Sequence, residues 1–255
     1  MIAIILCAGF GTRMYPLTKN KSKLLLQVGG KPIVEYLTDQ IIEFDGLKEI
    51  HIITNDIFFG DYTKWLSTYG ERIQAQGISI SLYNDETRSN AQRLGAAGDL
   101  ALVVNHIKHK CDAMVAAGDN IFRFSLKPIW KKFMESEFNY VLAIPEEDKN
   151  KLKQTGILEI DSKYYRVLNF YEKPKLPITN LTCPALYFLK HGSLMKVNKF
   201  IESDKAKDEI GLFIKYLVEE DSVFAFKVDG ERLDIGTIQS YEYAKSILKN
   251  QPVIL

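Results

Sequence analysis

Residues 4–25 read I-I-L-C-A-G-F-G-T-R-M-Y-P-L-T-K-N-K-S-K-L-L, and the organisation of the whole chain follows from that stretch. The apolar run Ile2–Leu6 meets Ala8-Gly9-Phe10-Gly11, so a buried strand gives way at once to a loop almost without side chains. Such a loop can cradle phosphate. Glycine permits positive φ and lets backbone N–H groups approach an anion, while Thr12 can donate from its hydroxyl and Arg13 can fork onto phosphoryl oxygens. Lys23 follows after ten more residues and can close over the same anion. Taken alone, a G-x-G turn is equally a plain strand-to-loop connection with a solvated basic tail. The stretch has no G-K-[ST] to supply a Walker A lysine and no third glycine to complete G-x-G-x-x-G, which argues against two other phosphate loops.

Outward from this loop, Ile33, Leu37, Ile41 and Phe44 recur at helical spacing after Pro32 and stop at Gly46. A short strand at 50–54 ends in Asn55-Asp56, and Tyr62, Trp65, Leu66 and Tyr69 form the next helical face. Residues 78–83 alternate as a strand, and Leu100, Val103, Val104 and Ile107 mark a helix. Residues 113–117 form a buried strand ending in Gly118-Asp119-Asn120. A helix with Ile129, Trp130 and Phe133 and a strand at 140–144 complete a β-α-β-α rhythm, which implies a mainly parallel sheet covered on both faces. Beyond Pro145 the rhythm changes. Strands at 156–160 and 166–171 flank the turn Asp161-Ser162-Lys163, and a third lies at 185–189. Helical faces follow at Leu194, Val197, Ile201 and at Ile210, Phe213, Ile214, Leu217, then a strand at 223–228 and a last helix with Tyr241, Ala244 and Leu248.

With 255 residues, 46% of them hydrophobic, the chain can bury one substantial core, and a single domain is expected. Thirty-three basic against 32 acidic residues give no global field, so nucleic acid and anionic membranes are poor partners and any anion must be met locally. Cys7, Cys111 and Cys183 are odd in number and never in C-x-x-C, which argues against a disulfide framework or a zinc site and for a reduced, cytoplasmic protein. No basic segment precedes the first apolar run, which is shorter than a signal h-region, and no stretch reaches the ~20 apolar residues that cross a bilayer.

The whole N-terminal string resembles the signature of the sugar nucleotidyltransferase family, L-x-A-G-x-G-T-R-L-x-P-L-T followed by P-K, an apolar pair and G-K-P. Leu6, Ala8, Gly9, Gly11, Thr12, Arg13, Pro16, Leu17, Thr18, Lys23 and Gly30-Lys31-Pro32 fall on it in order and at its spacing. The resemblance implies a three-layer α/β/α sandwich with a mostly parallel, mixed central sheet of Rossmann-like kind. It implies a nucleotide-binding half over 1–145 and an acceptor-binding half over 146–255. In the nucleotide half it assigns phosphate or nucleotide contacts to Leu6, Ala8, Gly9, Gly11, Thr12, Arg13, Lys23, Gly95 and Asp119, with Arg13 and Lys23 as catalytic cations. Gly95 stands in L-G-A-A-G, which resembles the L-G-T-A-G that lies against base and ribose; it also reads as a simple glycine-rich helix entry.

Open α/β sheets bind ligands beyond the carboxyl ends of their parallel strands, and Asp119 stands there, in G-D-N. The family uses that aspartate to hold magnesium, and Asp234, in D-I-G-T, resembles the later aspartate that supplies a second carboxylate. Two aspartates, with phosphate oxygens and water in the remaining positions, suit Mg2+. The plainer readings are an Asx turn or cap at Asp119 and a cap before the last helix at Asp234. On the acceptor side the resemblance points to Gly156, to Glu172 and Lys173 in E-K-P, and to Tyr187. Glu172 would accept hydrogen bonds from sugar hydroxyls and Lys173 would neutralise the acceptor phosphate, whereas Tyr187 reads equally as core.

The expected reaction is therefore NTP plus sugar-1-phosphate giving NDP-sugar plus pyrophosphate, with Mg2+. A sugar-1-phosphate is already anionic at neutral pH, so the reaction needs alignment and charge stabilisation rather than a Ser-His-Asp or Cys-His constellation, and none is legible. His106 and His109 read as helix-end residues rather than ligands. Several positions depart from the family pattern. Ser22 and Leu24 flank Lys23 where prolines or alanine are usual, which predicts a less rigid loop. Ala185 replaces a glycine, Arg232 stands where tryptophan is frequent, and residues 84–93 are long and polar. The sequence stops soon after its last helix, short of the extra helices or left-handed repeat of some relatives. These departures leave open a cytidylyltransferase acting on a non-sugar phosphomonoester such as phosphocholine, and a catalytically silent nucleotide-binding subunit. Assembly into a homo-oligomer is left open as well. A glycosyltransferase of related fold would show D-x-D and not this loop.

Overall fold

Every residue of the apolar run Ile2–Leu6 is buried in the first strand of a computed structural model that describes residues 1–202 and 208–249. In chain order the elements are β1 (Ile2–Leu6), β2 (Gln27–Val28), β3 (Lys31–Pro32), α1 (Ile33–Ile41), β4 (Glu49–Thr54), α2 (Phe59–Gln74), β5 (Ser79–Asn84), α3 (Ala96–His106), β6 (Ala113–Ala117), β7 (Asn120–Phe122) and α4 (Lys127–Met134). There follow β8 (Asn139–Pro145), α5 (Lys149–Leu152), β9 (Gly156–Ile160), β10 (Val167–Tyr171), β11 (Leu181–Cys183), β12 (Leu186–Leu189), α6 (His191–Glu202), α7 (Ile210–Glu220), β13 (Val223–Lys227), β14 (Arg232–Asp234) and α8 (Ile238–Leu248).

The chain divides into two compact units, and the division does not fall at residue 145. The first unit comprises Met1–Arg93, Ala117–Pro128 and Gly230–Leu255; the second comprises Leu94–Ala116 and Ile129–Asp229. These units interleave along the chain, whereas the sequence leads us to expect a single domain with halves at 1–145 and 146–255. The reason is pairing: β14, from the last segment, zips antiparallel onto β7, with Asp234 opposite Asn120.

In the first unit β1, β4 and β5 run parallel, with Ile4 opposite His51 and Ile52 opposite Leu82. Parallel neighbours need crossover connections, and α1 and α2 supply them. α1 buries Ile33, Val34, Leu37 and Ile41, the face its spacing predicts, but ends three residues before Phe44, where Gly46 takes φ +76°. α2 buries Tyr62, Trp65, Tyr69 and Ile73. α8 packs on β2 and β14, and its Tyr241 hydroxyl donates to the Gln27 carbonyl at 2.9 Å.

In the second unit β8 pairs antiparallel with β11 and β12 and parallel with β13. β9 lies antiparallel to β10 and β11, and β6 antiparallel to β12. α3, α6 and α7 pack on one another, with α7 also against β10. The result is the expected α/β class, a mixed sheet flanked by helices. Among the described residues no helix is long and apolar enough to cross a membrane.

Candidate active site

The loop after β1 is pinned at its root and open at its crest. Cys7 N–H continues the ladder to the Ile53 carbonyl at 2.8 Å, and the wholly buried Asn55 donates its amide to the Ala8 carbonyl at 2.9 Å. Gly9 is exposed, and a Cβ there would meet nothing within 4 Å, so a ligand can approach the backbone. Gly11 takes φ +63° and leads into the single turn Thr12–Met14. A side chain at Gly11 would be strained and would press on Thr18 at 3.3 Å and on Lys23 Cβ at 3.4 Å. Thr18, itself buried, donates its hydroxyl to the Gly11 carbonyl at 2.8 Å. The turn plants Met14 in the core and leaves Thr12 and Arg13 exposed.

Beside this cradle the first unit gathers five charged or amide side chains in one connected cluster. Lys23 Nζ donates to Asp119 Oδ2 at 2.7 Å, and Asn120 Nδ2 donates to Asp119 Oδ1 at 2.9 Å. Arg232 Nη1 donates to Asn120 Oδ1 at 2.9 Å and lies 3.4 Å from Asp234 Oδ2. The pairing of Asp234 with Asn120 in the β14–β7 ribbon, and the 3.0 Å bond from Ile235 N–H to the Asp119 carbonyl, hold the two acidic residues side by side. Arg13 reaches the same corner: its Nη2 lies 3.4 Å from where a Gly236 Cβ would stand, so glycine clears room for the guanidinium.

The two aspartates are pushed apart in acidity. Desolvation raises Asp119, but the charge and hydrogen bond of Lys23, aided by Arg232, outweigh it and hold that carboxyl below the usual range. At Asp234 desolvation and the neighbouring Asp119 charge prevail over Arg232, Lys23 and Arg13, and its carboxyl is raised. Two neighbouring carboxylates have the oxygen-donor chemistry that suits Mg2+, but among the described residues no third His, Cys, Asp or Glu joins them, so the pair would fit the ion only with phosphate oxygens or water in the remaining positions.

Ser22 and Leu24 give the Lys23 loop anchors of their own. Ser22 is buried and its hydroxyl lies 3.0 Å from the Tyr62 hydroxyl on α2. Leu24 is buried with its Cδ1 2.8 Å from where a Gly118 Cβ would stand, so the Lys23 loop seats directly on the glycine that precedes Asp119. The less rigid loop expected from the missing prolines is replaced by one fixed through side-chain contacts.

The second unit holds the other predicted group. Glu172 is nearly buried, and desolvation raises its pKa to about 7, with Glu209 adding to the rise and Lys173 opposing it. Lys173 adopts φ +42°, costly for a residue with a side chain, and its Nζ lies 2.6 Å from Glu209 Oε1 and 3.6 Å from Glu172 Oε1. Gly211, in the first turn of α7, leaves the space that the Glu172 carboxylate fills. Gly156 on β9 leaves the space that the tip of the Phe170 ring occupies, where any Cβ would clash. Tyr187 is 2% exposed on β12, which makes it part of the core rather than an open binding surface. Gly95, in the second unit, caps α3 with φ +79°.

The structure thus brings Leu6, Ala8, Gly9, Gly11, Thr12, Arg13, Lys23, Asp119 and Asp234 to one corner of the first unit, while Gly95, Gly156, Glu172, Lys173 and Tyr187 lie in the second. Asn55, Glu209 and Gly211 were given no role by sequence, while Thr18 and Asn120 entered only as members of the N-terminal signature and of G-D-N. In chemical terms, the first unit offers an open glycine crest, cations at its edge and a neighbouring pair of carboxylates, an arrangement that suits a polyphosphate.

Residues 2–251 match the family model described as nucleotidyl transferase. A UTP–glucose-1-phosphate uridylyltransferase of Haloferax volcanii is 27% identical over 252 residues, covering 98% of both chains. A bifunctional GlmU protein of Methanococcus vannielii is 26% identical and covers 92% of this chain, which spans 52% of that relative's length. Among solved structures, one from Bacillus anthracis assigned as a glucose-1-phosphate thymidylyltransferase aligns with a TM-score of 0.82 at 23% identity, covering 99% and 97% of the two chains. A UDP-glucose pyrophosphorylase bound to UDP-glucose aligns at 0.77 and 17% identity, a likeness of fold.

Proposed function

The chain belongs to the nucleotidyl transferase family, and from that premise we propose that it joins an NTP to a sugar-1-phosphate, releasing pyrophosphate and forming an NDP-sugar. The observation that carries this reading is the ion pair between Lys23 and Asp119 beside the Gly9–Arg13 crest. One corner thereby holds both the cations that meet a polyphosphate and the carboxylates that meet its metal. The names of the Haloferax and Bacillus relatives support a hexose-1-phosphate as acceptor.

The backbone around Gly9 and Gly11 receives the nucleotide phosphates, with Thr12 donating a hydroxyl and Arg13 a guanidinium. Lys23 leaves Asp119 for the phosphoryl oxygens and stabilises the charge that builds on the α-phosphoryl group as the new P–O bond forms and the bond to pyrophosphate breaks. Asp119 and Asp234 would hold Mg2+, which when bound supplies Lewis-acid stabilisation of the phosphates. In the second unit Glu172 accepts from the acceptor's hydroxyls, and Lys173, held between two carboxylates, offers the cation that its phosphate meets. No general base is required, because the acceptor phosphate attacks as an anion.

The test is pyrophosphate release across a grid of the common NTPs against a panel of sugar-1-phosphates plus phosphocholine, with Mg2+. Turnover of a hexose-1-phosphate pair is the expected result. Turnover of phosphocholine alone would reject the sugar acceptor, and silence from folded, nucleotide-binding protein would reject catalysis.

A further inference from the structure

We propose that Arg232 is a resident counter-cation of the Asp119–Asp234 pair, keeping nucleotide-free protein a poor binder of divalent metal so that metal enters together with phosphate. This rests on the reading of the two aspartates as metal ligands. The geometry comes from within the first unit. Arg232 is only 11% exposed at its side chain, and its guanidinium is fixed by a 2.9 Å bond to Asn120 Oδ1, which aims it at Asp234 Oδ2, 3.4 Å away. Asn120 in turn is fixed on Asp119, so the guanidinium, both carboxylates and the Lys23 ammonium form one hydrogen-bonded relay. Three members of the relay, Asn120, Arg232 and Asp234, lie on the paired strands β7 and β14, which fixes their backbones relative to one another.

Charge decides what this relay does. Two carboxylates without cations would attract a divalent ion strongly, but here each already has a partner, Lys23 on Asp119 and Arg232 beside Asp234, with Arg13 at the same corner. An incoming metal must displace Lys23 and accept the repulsion of a guanidinium that Asn120 prevents from swinging away. Nucleotide phosphates remove both obstacles, since they draw off Lys23 and Arg13 and cancel the excess positive charge. Metal and nucleotide binding are then positively coupled, and the coupling is reciprocal. Arg232 acts through the carboxylates and is a positioning residue, distinct from the cations assigned to the phosphates.

The experiment is Mn2+ titration of nucleotide-free protein, read by the electron paramagnetic resonance signal of free Mn2+, on the wild type and on Arg232→Gln, Arg232→Lys and Asp119→Asn. Glutamine preserves an amide that can still bond Asn120 and removes the charge; lysine preserves the charge. Arg232→Gln should bind Mn2+ about tenfold tighter than wild type, the scale expected from removing one unit charge a few ångström from the ion at a solvent-screened effective dielectric. Arg232→Lys should stay near wild type. Thermal unfolding of each variant confirms the fold. If Arg232→Gln, folded, binds Mn2+ no tighter than wild type, the counter-cation role is overturned, because a purely structural arginine would alter stability without raising metal affinity. The Asp119→Asn arm separates this failure from that of the underlying reading: Mn2+ binding undiminished there would reject the aspartates as ligands.

Discussion

At the scale of single residues, Glu172 makes a pH-dependent prediction. Its pKa of about 7 lies above the ordinary 4.5, with desolvation as the leading cause. A hydroxyl of the acceptor is best received by the carboxylate, so the acceptor's KM should fall as pH rises from 6 to 8 while the KM for the nucleotide changes little. Linkage fixes the sign for stability. The folded chain binds this proton more tightly than the unfolded one, so stability is lost as pH rises from the unfolded value toward 7, up to about 3 kcal/mol in all. Glu172→Gln should therefore raise the melting temperature at pH 8 and not at pH 4, yet weaken the acceptor. A flat KM profile, or no gain in stability at pH 8, would contradict this account. Asp119→Asn isolates the other unit: losing one carboxylate of the pair should cut kcat by about 10^3-fold or more while the protein stays folded. Steady-state kinetics beside a thermal melt checks it.

At the scale of elements, two short pieces of helix carry the next expectations. The threonine of D-I-G-T is a helix cap: Thr237 Oγ1 accepts from Ser240 N–H at 3.1 Å, and Ser240 Oγ accepts from Thr237 N–H at 3.1 Å, a reciprocal capping box opening α8. The plainer reading of that motif as a cap is thus realised, by the threonine rather than by Asp234. Thr237→Ala should cost about 1 kcal/mol, some 2–4 °C in a chain of this size, and Thr237→Ser almost nothing; differential scanning calorimetry decides it. On α7, Gly211→Ala would place a methyl where the Glu172 carboxylate lies. The acceptor's KM should rise about 10- to 100-fold, with Mn2+ binding unchanged, because only the second unit is disturbed. The same elements show what sequence could reveal. Long periodic segments such as α2 and the apolar β1 and β6 are legible because many residues repeat one preference. β7, β11 and β14 span three residues each, too few for alternation to show, and exist because a partner strand pairs with them. The crest at Gly9–Arg13 and the two aspartates follow local motifs, whereas Glu209 and Gly211 acquire meaning only when α7 docks against β10.

At the scale of the whole molecule, the first unit is assembled from three separated segments, and its candidate site draws on each of them. Met1–Arg93 brings the glycine crest, Arg13 and Lys23; Ala117–Pro128 brings Asp119 and Asn120; Gly230–Leu255 brings Arg232 and Asp234. No continuous half of the chain contains this set. A fragment of residues 1–145 keeps β1, β4 and β5 but loses β14 from the edge of β7 and α8 from β2, together with the Tyr241 bond to Gln27. It would expose the apolar residues those elements cover, among them Ile121, Phe122 and Val28, all nearly or wholly buried in the intact chain. It would also retain Asp119 and Lys23 without Asp234. The fragment should therefore unfold without a cooperative transition and bind neither Mn2+ nor nucleotide. Adding residues 230–255 as a separate peptide should restore part of both, since the missing elements dock by strand pairing and apolar burial. In the intact chain, saturating nucleotide and metal should raise the melting temperature, with about 2.7 kcal/mol gained at one hundred times the dissociation constant. A 1–145 fragment that melts cooperatively and binds nucleotide like the full chain would show that the last segment is dispensable, contrary to the register that sets Asp234 opposite Asn120.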